Sequence, residues 1–483
     1  MTKLFSDLFA NAQTDAASLK VTGITADSRR VRPGYVFIAV PGVKVDGMQY
    51  AQQAVEAGAV AVVGEQAEVA GLSVPYHRVR DVRQALSVAA SRMYPAQPET
   101  IVAVTGTSGK SSVADFSRQL FSAAGKSAAS LGTLGVITDD GAAYGSLTTP
   151  DPISLHETLN RLATNGIECL AMEASSHGIE QRRLESVRLK GAAFTNLGRD
   201  HLDYHGTIEA YAEAKLRLFE ELLDDDAFAV VNADGAYSDI FLPRIQKRGL
   251  RVTTTGLKGK DIRLLSAEVQ NFHQMLVVEA YGERFEIEFP LLGDFQVENA
   301  LVAAACVINS EGKQVTGRVM KALNGLMGVC GRLEKVGEIN GAMCIVDYSH
   351  KPDALSHVLD AVRPFVTGRL FCVFGCGGDR DRGKRPIMGQ IASEKADVVI
   401  VTDDNPRSEE PGAIRAEIMA EAKGAREIGD RSLAIHTAVS ELQSGDILIV
   451  AGKGHETGQI VGEKTLPFSD HAEIRSAIVG CSK

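Results

Sequence analysis

Five short apolar runs, each closed by a turn of Gly and polar residues, constrain this chain more than any other feature. They are TIVAVTGTSGKSS (100–112), FAVVNADG (228–235), LFCVFGCGGD (370–379), DVVIVTDDNP (397–406) and DILIVAGKGH (446–455). None alternates apolar with polar, so each reads as a strand covered on both faces, the position of a strand inside a parallel sheet. Helical patterns follow these turns, and that alternation predicts α/β architecture. A chain of 483 residues suggests three domains at about 150 residues each. Two breaks divide it: MYPAQPET (93–100), with its two prolines, and LMGVCGRLEKV (326–336), where a helical stretch gives way to Gly and charge. The expected domains are therefore 1–97, 98–329 and 330–483. Within the second, 261–290 alternates in the manner of strands and is expected to form a small antiparallel element at the domain edge.

Composition removes several classes. Apolar residues make up 45% of the chain, too many for a disordered protein. With 51 Lys+Arg against 61 Asp+Glu, the formal charge is −10, which argues against a nucleic-acid partner. The seven cysteines are scattered, form no CxxC and sit largely in apolar runs, so they read as free buried thiols in a reducing compartment rather than a metal cluster. The N-terminal MTKLFSDLFANAQTD lacks a signal-peptide core, and no apolar run approaches the ~18 residues of a membrane span. A cytoplasmic protein without membrane insertion is expected.

TGTSGKSS (105–112) follows the strand-like IVAV and opens the helical VADFSRQLFSAAG. Strand, Gly loop, Lys, Ser and helix fall in the order of a phosphate loop. Backbone N–H groups of Gly106, Thr107, Ser108 and Gly109 can face phosphates, Lys110 can reach them, and the Ser111 hydroxyl, followed by Ser112, can ligate Mg²⁺. One departure is Val104, where the general pattern has Gly. Downstream lie MEASSHG (172–178) with Glu173, TNLGRDHLDYHG (195–206) with Asn196, Asp200, His201, Asp203 and His205, and YAEAKLRLF (211–219) with Lys215. Oxygen-rich clusters after a phosphate loop suit Mg²⁺ beside ATP phosphates. The loop by itself indicates a nucleotide and not a reaction, and a regulatory NTPase fits it as well.

TGTSGKSS, TTPDP (148–152), MEASSHG, TNLGRDHLDYHG, Lys215, ENALVAAA (298–305), GRLE (331–334) and DYSHKPDAL (347–355) together resemble the Mur ligase family, the ATP-dependent amide-forming enzymes of peptidoglycan assembly. The resemblance covers all three expected domains. It accounts for Val104, since the family's own loop is TGTxGK followed by two Ser/Thr residues. It implies a small N-terminal α/β domain for a UDP-sugar, a central P-loop ATPase-type parallel sheet, and a C-terminal Rossmann-like domain for the amino acid. Within the family the chain is most similar to members that add the third amino acid to UDP-N-acetylmuramoyl-L-alanyl-D-glutamate. ITADSRRVRPGYVFIAVPG (24–42), SSHGIEQRR (175–183), GCGGDRDRGKRP (375–386), DDNPRSEEP (403–411) and AGKGHE (451–456) carry that finer resemblance.

The resemblance implies a set of roles. ATP would meet Gly106 to Ser112, Asn299, Arg332 and Asp347. Lys110, Glu173, His201 and Lys215 would be catalytic. Ser111, Glu173, His201 and a carbamylated Lys215 would hold Mg²⁺. The UDP-sugar peptide would contact Ala26, Ser28, Val43, Lys44, Val45, Thr148, Thr149, Ser175, Gln181 and Arg183; Leu147 stands where related chains carry Asn. The acceptor would be meso-diaminopimelate, held by Arg380, Asp404, Asn405, Pro406, Arg407, Gly452 and Glu456. Its extra carboxylate, compared with L-lysine, calls for a planar bidentate cation, which Arg407 offers. His350 lies on the same turn as Asp347 and suits either a ligand contact or a cap. A monomer is expected. Folylpolyglutamate synthetase shares the central and C-terminal plan, but the DSRRVRPGYVFIA block argues against it.

Overall fold

The computed structural model describes residues 2–11, 14–42, 45–67, 69–143 and 147–481. By their contacts they form two compact units, Met1–Arg263 with Asn299–Met320, and Leu264–Glu298 with Lys321–Lys483. The α/β architecture is the expected one.

After a short antiparallel pair, Lys3–Leu4 with Lys20–Val21, the first unit has four parallel strands in chain order, Gly23–Thr25, Tyr35–Ile38, Ala59–Gly64 and Tyr76–Arg78. Alternate residues feed two cores. Val36, Ile38, Ala61 and Val63 pack with the helix Val82–Met93, whereas Phe37 and Val62 pack with Ala51 and Ala54 of the opposite helix. Asp81 starts the longer helix by accepting the Gln84 N–H at 2.9 Å.

The central sheet of this unit has parallel strands in the order Ala128–Gly132, Cys169–Glu173, Thr100–Thr105, Gly191–Phe194, Phe228–Asn232 and Arg251–Gly256. Gly135–Thr138 and Gly141–Ala143 add antiparallel strands at one edge. Every residue of Thr100–Thr105 is buried, as its position amid parallel neighbours requires. Because the strands are parallel, Thr105 and Glu173 end on the same edge of the sheet, with Glu173 registered against Val104. That edge carries the phosphate loop.

The second unit contains the antiparallel pair His273–Ala280 and Glu283–Phe289, the element expected from the alternation at 261–290. Its own contacts explain why it groups with the C-terminal residues: Leu292 belongs to their core, Phe272 packs on it, and Asn324 Oδ1 accepts the Glu288 N–H at 2.8 Å. The main sheet has the spatial order Glu334–Ile339, Ala342–Asp347, Ile447–Ala451, Leu370–Phe374, Val398–Val401 and Arg426–Glu427, parallel except for the first strand. Met343 and Ile345 face one helical layer, Cys344 and Val346 the other. The last long strand, Ile447–Ala451, is inserted between Ala342–Asp347 and Leu370–Phe374. The carboxyl ends of four strands thereby surround one crevice, where doubly wound sheets bind ligands.

All seven cysteines are free. Five are buried, while Cys330 is partly buried and Cys481 exposed, which departs from the expectation of buried thiols throughout. No helix among the described residues is long and apolar enough to cross a membrane.

Candidate active site

The phosphate loop takes a conformation that only glycine allows at two points. Gly106 has φ +151° and Gly109 φ +86°, and a Cβ on Gly109 would overlap Asn299 Oδ1. The next strand's turn braces the loop from outside. Asn196 accepts the Thr107 N–H on its carbonyl at 2.9 Å and the Ser108 N–H on Oδ1 at 3.0 Å, and Thr195 Oγ1 donates to the Ser108 carbonyl at 2.6 Å. The helix Lys110–Ala123 starts immediately after Gly109, so its N-terminal dipole end meets the loop. Lys110 Nζ folds back to the carbonyls of Gly106 and Thr107 at 2.9 and 2.8 Å.

Glu173 is buried at the end of its strand. Its Oε1 accepts from Ser111 Oγ and from the Thr133 N–H, both at 2.8 Å. The expected pair Ser111 and Glu173 is thus in direct contact; Thr133 completes it and was not foreseen. Gly132 leaves the room: a Cβ there would lie 2.6 Å from Glu173 Cγ and overlap its carboxylate. Gly132→Ala is therefore expected to displace Glu173 from Ser111. Overpacking of this kind costs about 1–3 kcal/mol, and loss of the aligned carboxylate should lower turnover by about tenfold or more. Wild-type melting temperature and turnover in this variant would contradict the arrangement.

The helix Ile208–Glu220, capped by Thr207 Oγ1 on the Ala210 N–H at 3.2 Å, turns its apolar face inward and carries Lys215 with it. Lys215 is 1% exposed. Its Nζ donates to the Gly106 carbonyl at 2.8 Å and lies 4.4 Å from the Tyr211 ring centroid. Burial, assisted by the Lys110 charge, holds its pKa well below that of an ordinary lysine. His201 is separate from the Ser111–Glu173 pair in its contacts. It has a left-handed backbone, φ +53°, its ring lies 5.0 Å from that of His177, and its Nε2 is 3.6 Å from Asp200 Oδ2. Burial lowers its pKa, and it senses the charges of Lys110 and Lys215. The side chain of Asp203 lies outside the described residues.

The residues matched to a UDP-sugar peptide divide into three groups. Thr149, Ser175, Gln181 and Arg183 form one network: Arg183 donates to the Thr149 carbonyl and to Gln181 Oε1, both at 2.7 Å. The Thr149 side chain is buried and its hydroxyl is saturated, donating to the Glu173 carbonyl at 2.9 Å and accepting from the N–H and Oγ of Ser175 at 3.0 Å. It aligns neighbours rather than facing outward. Thr148 Oγ1 lies 3.0 Å from Thr133 Oγ1. Ser28 bonds Gln53 Oε1 at 3.1 Å, and Ala26 and Val45 are exposed. Val43 and Lys44 lie outside the described residues.

In the second unit a cavity of about 720 Å³ opens at the carboxyl ends of the strands. Its lining includes Arg380, Asp404, Asn405, Arg407, Gly452 and Glu456, so six of the seven residues matched to an amino acid meet there. Pro406 is buried and does not line it. Tyr348, His350, Lys351 and Lys384, which the sequence did not single out for this role, also line it, apart from the open question of His350. Asp404 is buried, which raises its pKa, and no donor among the described residues bonds its carboxylate. Arg407 has φ +51°; its Nη1 donates to the Gly378 carbonyl at 2.8 Å and its backbone N–H to Ile460 at 3.0 Å. Lys453, fully buried, joins Asn405 Oδ1 and Glu456 Oε2, each at 3.0 Å. His350 Nδ1–H donates to the Tyr348 carbonyl, 2.9 Å away, and the His350 carbonyl accepts from Lys384.

Asp347 and Arg332 also lie in this unit. The buried Asp347 carboxylate is taken up by the Leu333 and Ser349 N–H groups at 2.7 and 2.8 Å and by the Ser349 hydroxyl. It clamps the GRLE segment against the turn, with the Arg332 guanidinium 5.0 Å from the Tyr348 ring centroid.

A Gly-rich strand-to-helix loop with a buried carboxylate beside it stands on one parallel sheet, and a crevice lined by charges of both signs on another, features that suit a ligase. The chain belongs to the Mur ligase family: residues 20–94 match the Mur ligase family catalytic domain, 104–307 the Mur ligase middle domain, and 331–454 the Mur ligase glutamate ligase domain. It is 56% identical over 467 residues to a UDP-N-acetylmuramoyl-L-alanyl-D-glutamate--2,6-diaminopimelate ligase of Mesorhizobium japonicum, covering 96% of each chain. A protein of the same name from Agrobacterium fabrum is 54% identical, over 98% of this chain and 96% of its own. A solved structure of a ligase of that name superposes with a TM-score of 0.75 at 34% identity, covering 100% of both chains.

Proposed function

We propose that the chain is an ATP-dependent ligase that joins meso-2,6-diaminopimelate to UDP-N-acetylmuramoyl-L-alanyl-D-glutamate in peptidoglycan synthesis, acting as a cytoplasmic monomer. The observation that carries this reading is the cavity of the second unit. Lys351, Arg380, Lys384 and Arg407 supply cations, and Asp353, Asp381, Asp404 and Glu456 carboxylates. Such a lining suits an amino acid with both charges at both ends. The unsatisfied Asp404 carboxylate calls for an ammonium group, and Arg407 for a second carboxylate. The names of the full-length relatives point the same way.

A carboxylate does not react with an amine at neutral pH. Transfer of the ATP γ-phosphoryl group to the donor carboxylate forms an acyl phosphate and ADP. The amine of diaminopimelate then attacks the carbonyl carbon; the C–N bond forms, the C–O bond to phosphate breaks, and phosphate and a proton leave. The loop N–H groups and Lys110 hold the transferring phosphates, and Asn299, Arg332 and Asp347 belong to the nucleotide site. Ala26, Ser28, Val43, Lys44, Val45, Thr148, Thr149, Ser175, Gln181 and Arg183 serve the UDP-sugar peptide, Thr149 by alignment. In these terms 1–97, 98–329 and 330–483 are the functional domains.

Hard oxygen donors at Ser111 and Glu173, 2.8 Å apart, fit Mg²⁺, with His201 and a carbamylated Lys215 as further ligands. Mg²⁺ there would neutralise charge on the phosphate oxygens. As an ammonium Lys215 would repel a cation. Its depressed pKa favours the neutral amine, whose lone pair can attack CO₂; the N–C bond forms, a proton leaves, and the product is a carboxylate.

ADP release measured with each substrate omitted in turn tests the reading. Turnover should require both the UDP-sugar dipeptide and the amino acid. Steady hydrolysis without either would indicate a regulatory NTPase. Lys453→Met should raise the KM for diaminopimelate by about tenfold or more, because Asn405 and Glu456 lose their common buried donor, while the KM for ATP stays within about twofold. Equal changes in both would contradict a role confined to the cavity.

A further inference from the structure

Cys330, Glu334 and His471 form a cluster that the ligase reaction does not use. Cys330 immediately precedes the GRLE segment, and Glu334 closes that segment and begins the strand Glu334–Ile339. His471 is the second residue of the helix Asp470–Cys481. The helix end is anchored next to it: Asp470 forms a fully buried pair with Arg431, at 2.7 and 2.8 Å. Two separately fixed elements therefore present the three side chains to one another. His471 Nε2 lies 2.6 Å from Glu334 Oε2 and 3.9 Å from Cys330 Sγ, and the three donor atoms fall within 4.8 Å of one another. Glu334 Oε2 also accepts the Gly331 N–H at 2.7 Å, which fixes the carboxylate.

The arrangement is not that of a nucleophilic relay. A relay needs the thiol on one imidazole nitrogen and the carboxylate on the other. Here the sulfur and the carboxylate oxygen both face Nε2. Convergence of S, N and O on one point is instead the geometry of ligands around a shared ion. We propose that Cys330, Glu334 and His471 bind one thiophilic divalent cation of the Zn²⁺ class, tying the GRLE segment to the C-terminal helix.

Tetrahedral Zn²⁺ with bonds of about 2.3 Å to sulfur and 2.0–2.1 Å to nitrogen separates those two atoms by roughly 3.5 Å, close to the present 3.9 Å. The oxygen and nitrogen must part by somewhat under ~1 Å as the ion replaces the proton between them. The thiol proton leaves to solvent, and the proton between His471 and Glu334 moves to Nδ1 or to solvent. His471 is 12% and Glu334 21% exposed, so solvent can supply a fourth ligand. Mg²⁺ does not suit a set containing a thiolate.

The test is titration of the metal-free full-length protein with Co²⁺, followed by Zn²⁺. Wild type should develop a sulfur-to-cobalt charge-transfer band at one equivalent, bleached by stoichiometric Zn²⁺. Cys330→Ser, with the other cysteines intact, should lose the band. His471→Gln should keep the thiol but bind at least about tenfold more weakly by chelator competition, a measurement that stands even if the serine variant folds poorly. Absence of the band in wild type, or its persistence in Cys330→Ser, overturns the proposal, as does unchanged affinity in His471→Gln.

Discussion

Lys215→Ala is expected to lose turnover by about a hundred- to a thousandfold, the scale for removing one aligned charge from a phosphoryl-transfer centre. The fold should survive, because among the described residues no carboxylate bonds the amine and the Gly106 carbonyl keeps its bond from Lys110. Lys215→Met, which preserves volume, makes the stability consequence measurable. The folded-state pKa is depressed by burial, so the unfolded chain binds more protons and stability rises with pH. In CO₂-depleted buffer Lys215→Met should therefore exceed wild type in stability most at low pH. The advantage should vanish above the unfolded lysine pKa of about 10.4. With ¹³C-bicarbonate, wild type should show a carbamate carbon signal that both variants lack. Full turnover in Lys215→Ala would remove Lys215 from the mechanism.

Arg407→Ala is expected to damage diaminopimelate addition by about 30- to 1000-fold, equivalent to some 2–4 kcal/mol, and to change lysine addition far less. The guanidinium is held ready by the Gly378 carbonyl and by a backbone pinned between Ile460 and Gly462. Lysine would leave it without a carboxylate. The measurement is kcat/KM for both amino acids in wild type and variant. An equal loss for both would assign Arg407 to cavity structure instead of to selection.

The sheets were legible because a strand buried on both faces has no polar residues to hide. TIVAVT, LFCVF and ILIVA each became a buried parallel strand. Their spatial order was not legible, since nothing local tells Ile447–Ala451 to insert beside Leu370–Phe374. Residues matched by motif gather at the Gly-rich loop and along the cavity, but the state of each side chain was not legible. Thr149 reads as an outward hydroxyl and turns inward to Glu173 and Ser175. Lys453 sits in a Gly-rich turn that suggests exposure, yet it is fully buried. Thr133 was missed because a lone Thr after a strand carries no signal. Cys330 and His471, 141 residues apart, have no spacing rule to connect them.

The central claim is that one chain couples ATP cleavage to addition of diaminopimelate. Product mass after incubation with UDP-N-acetylmuramoyl-L-alanyl-D-glutamate, ATP, Mg²⁺ and an equimolar mixture of meso-diaminopimelate and L-lysine tests it most directly. The account predicts the diaminopimelate tripeptide as the dominant product, with one ADP and one phosphate formed per molecule. Lysine tripeptide in equal amount would contradict the assigned acceptor, and ADP without any new amide would contradict the ligase itself.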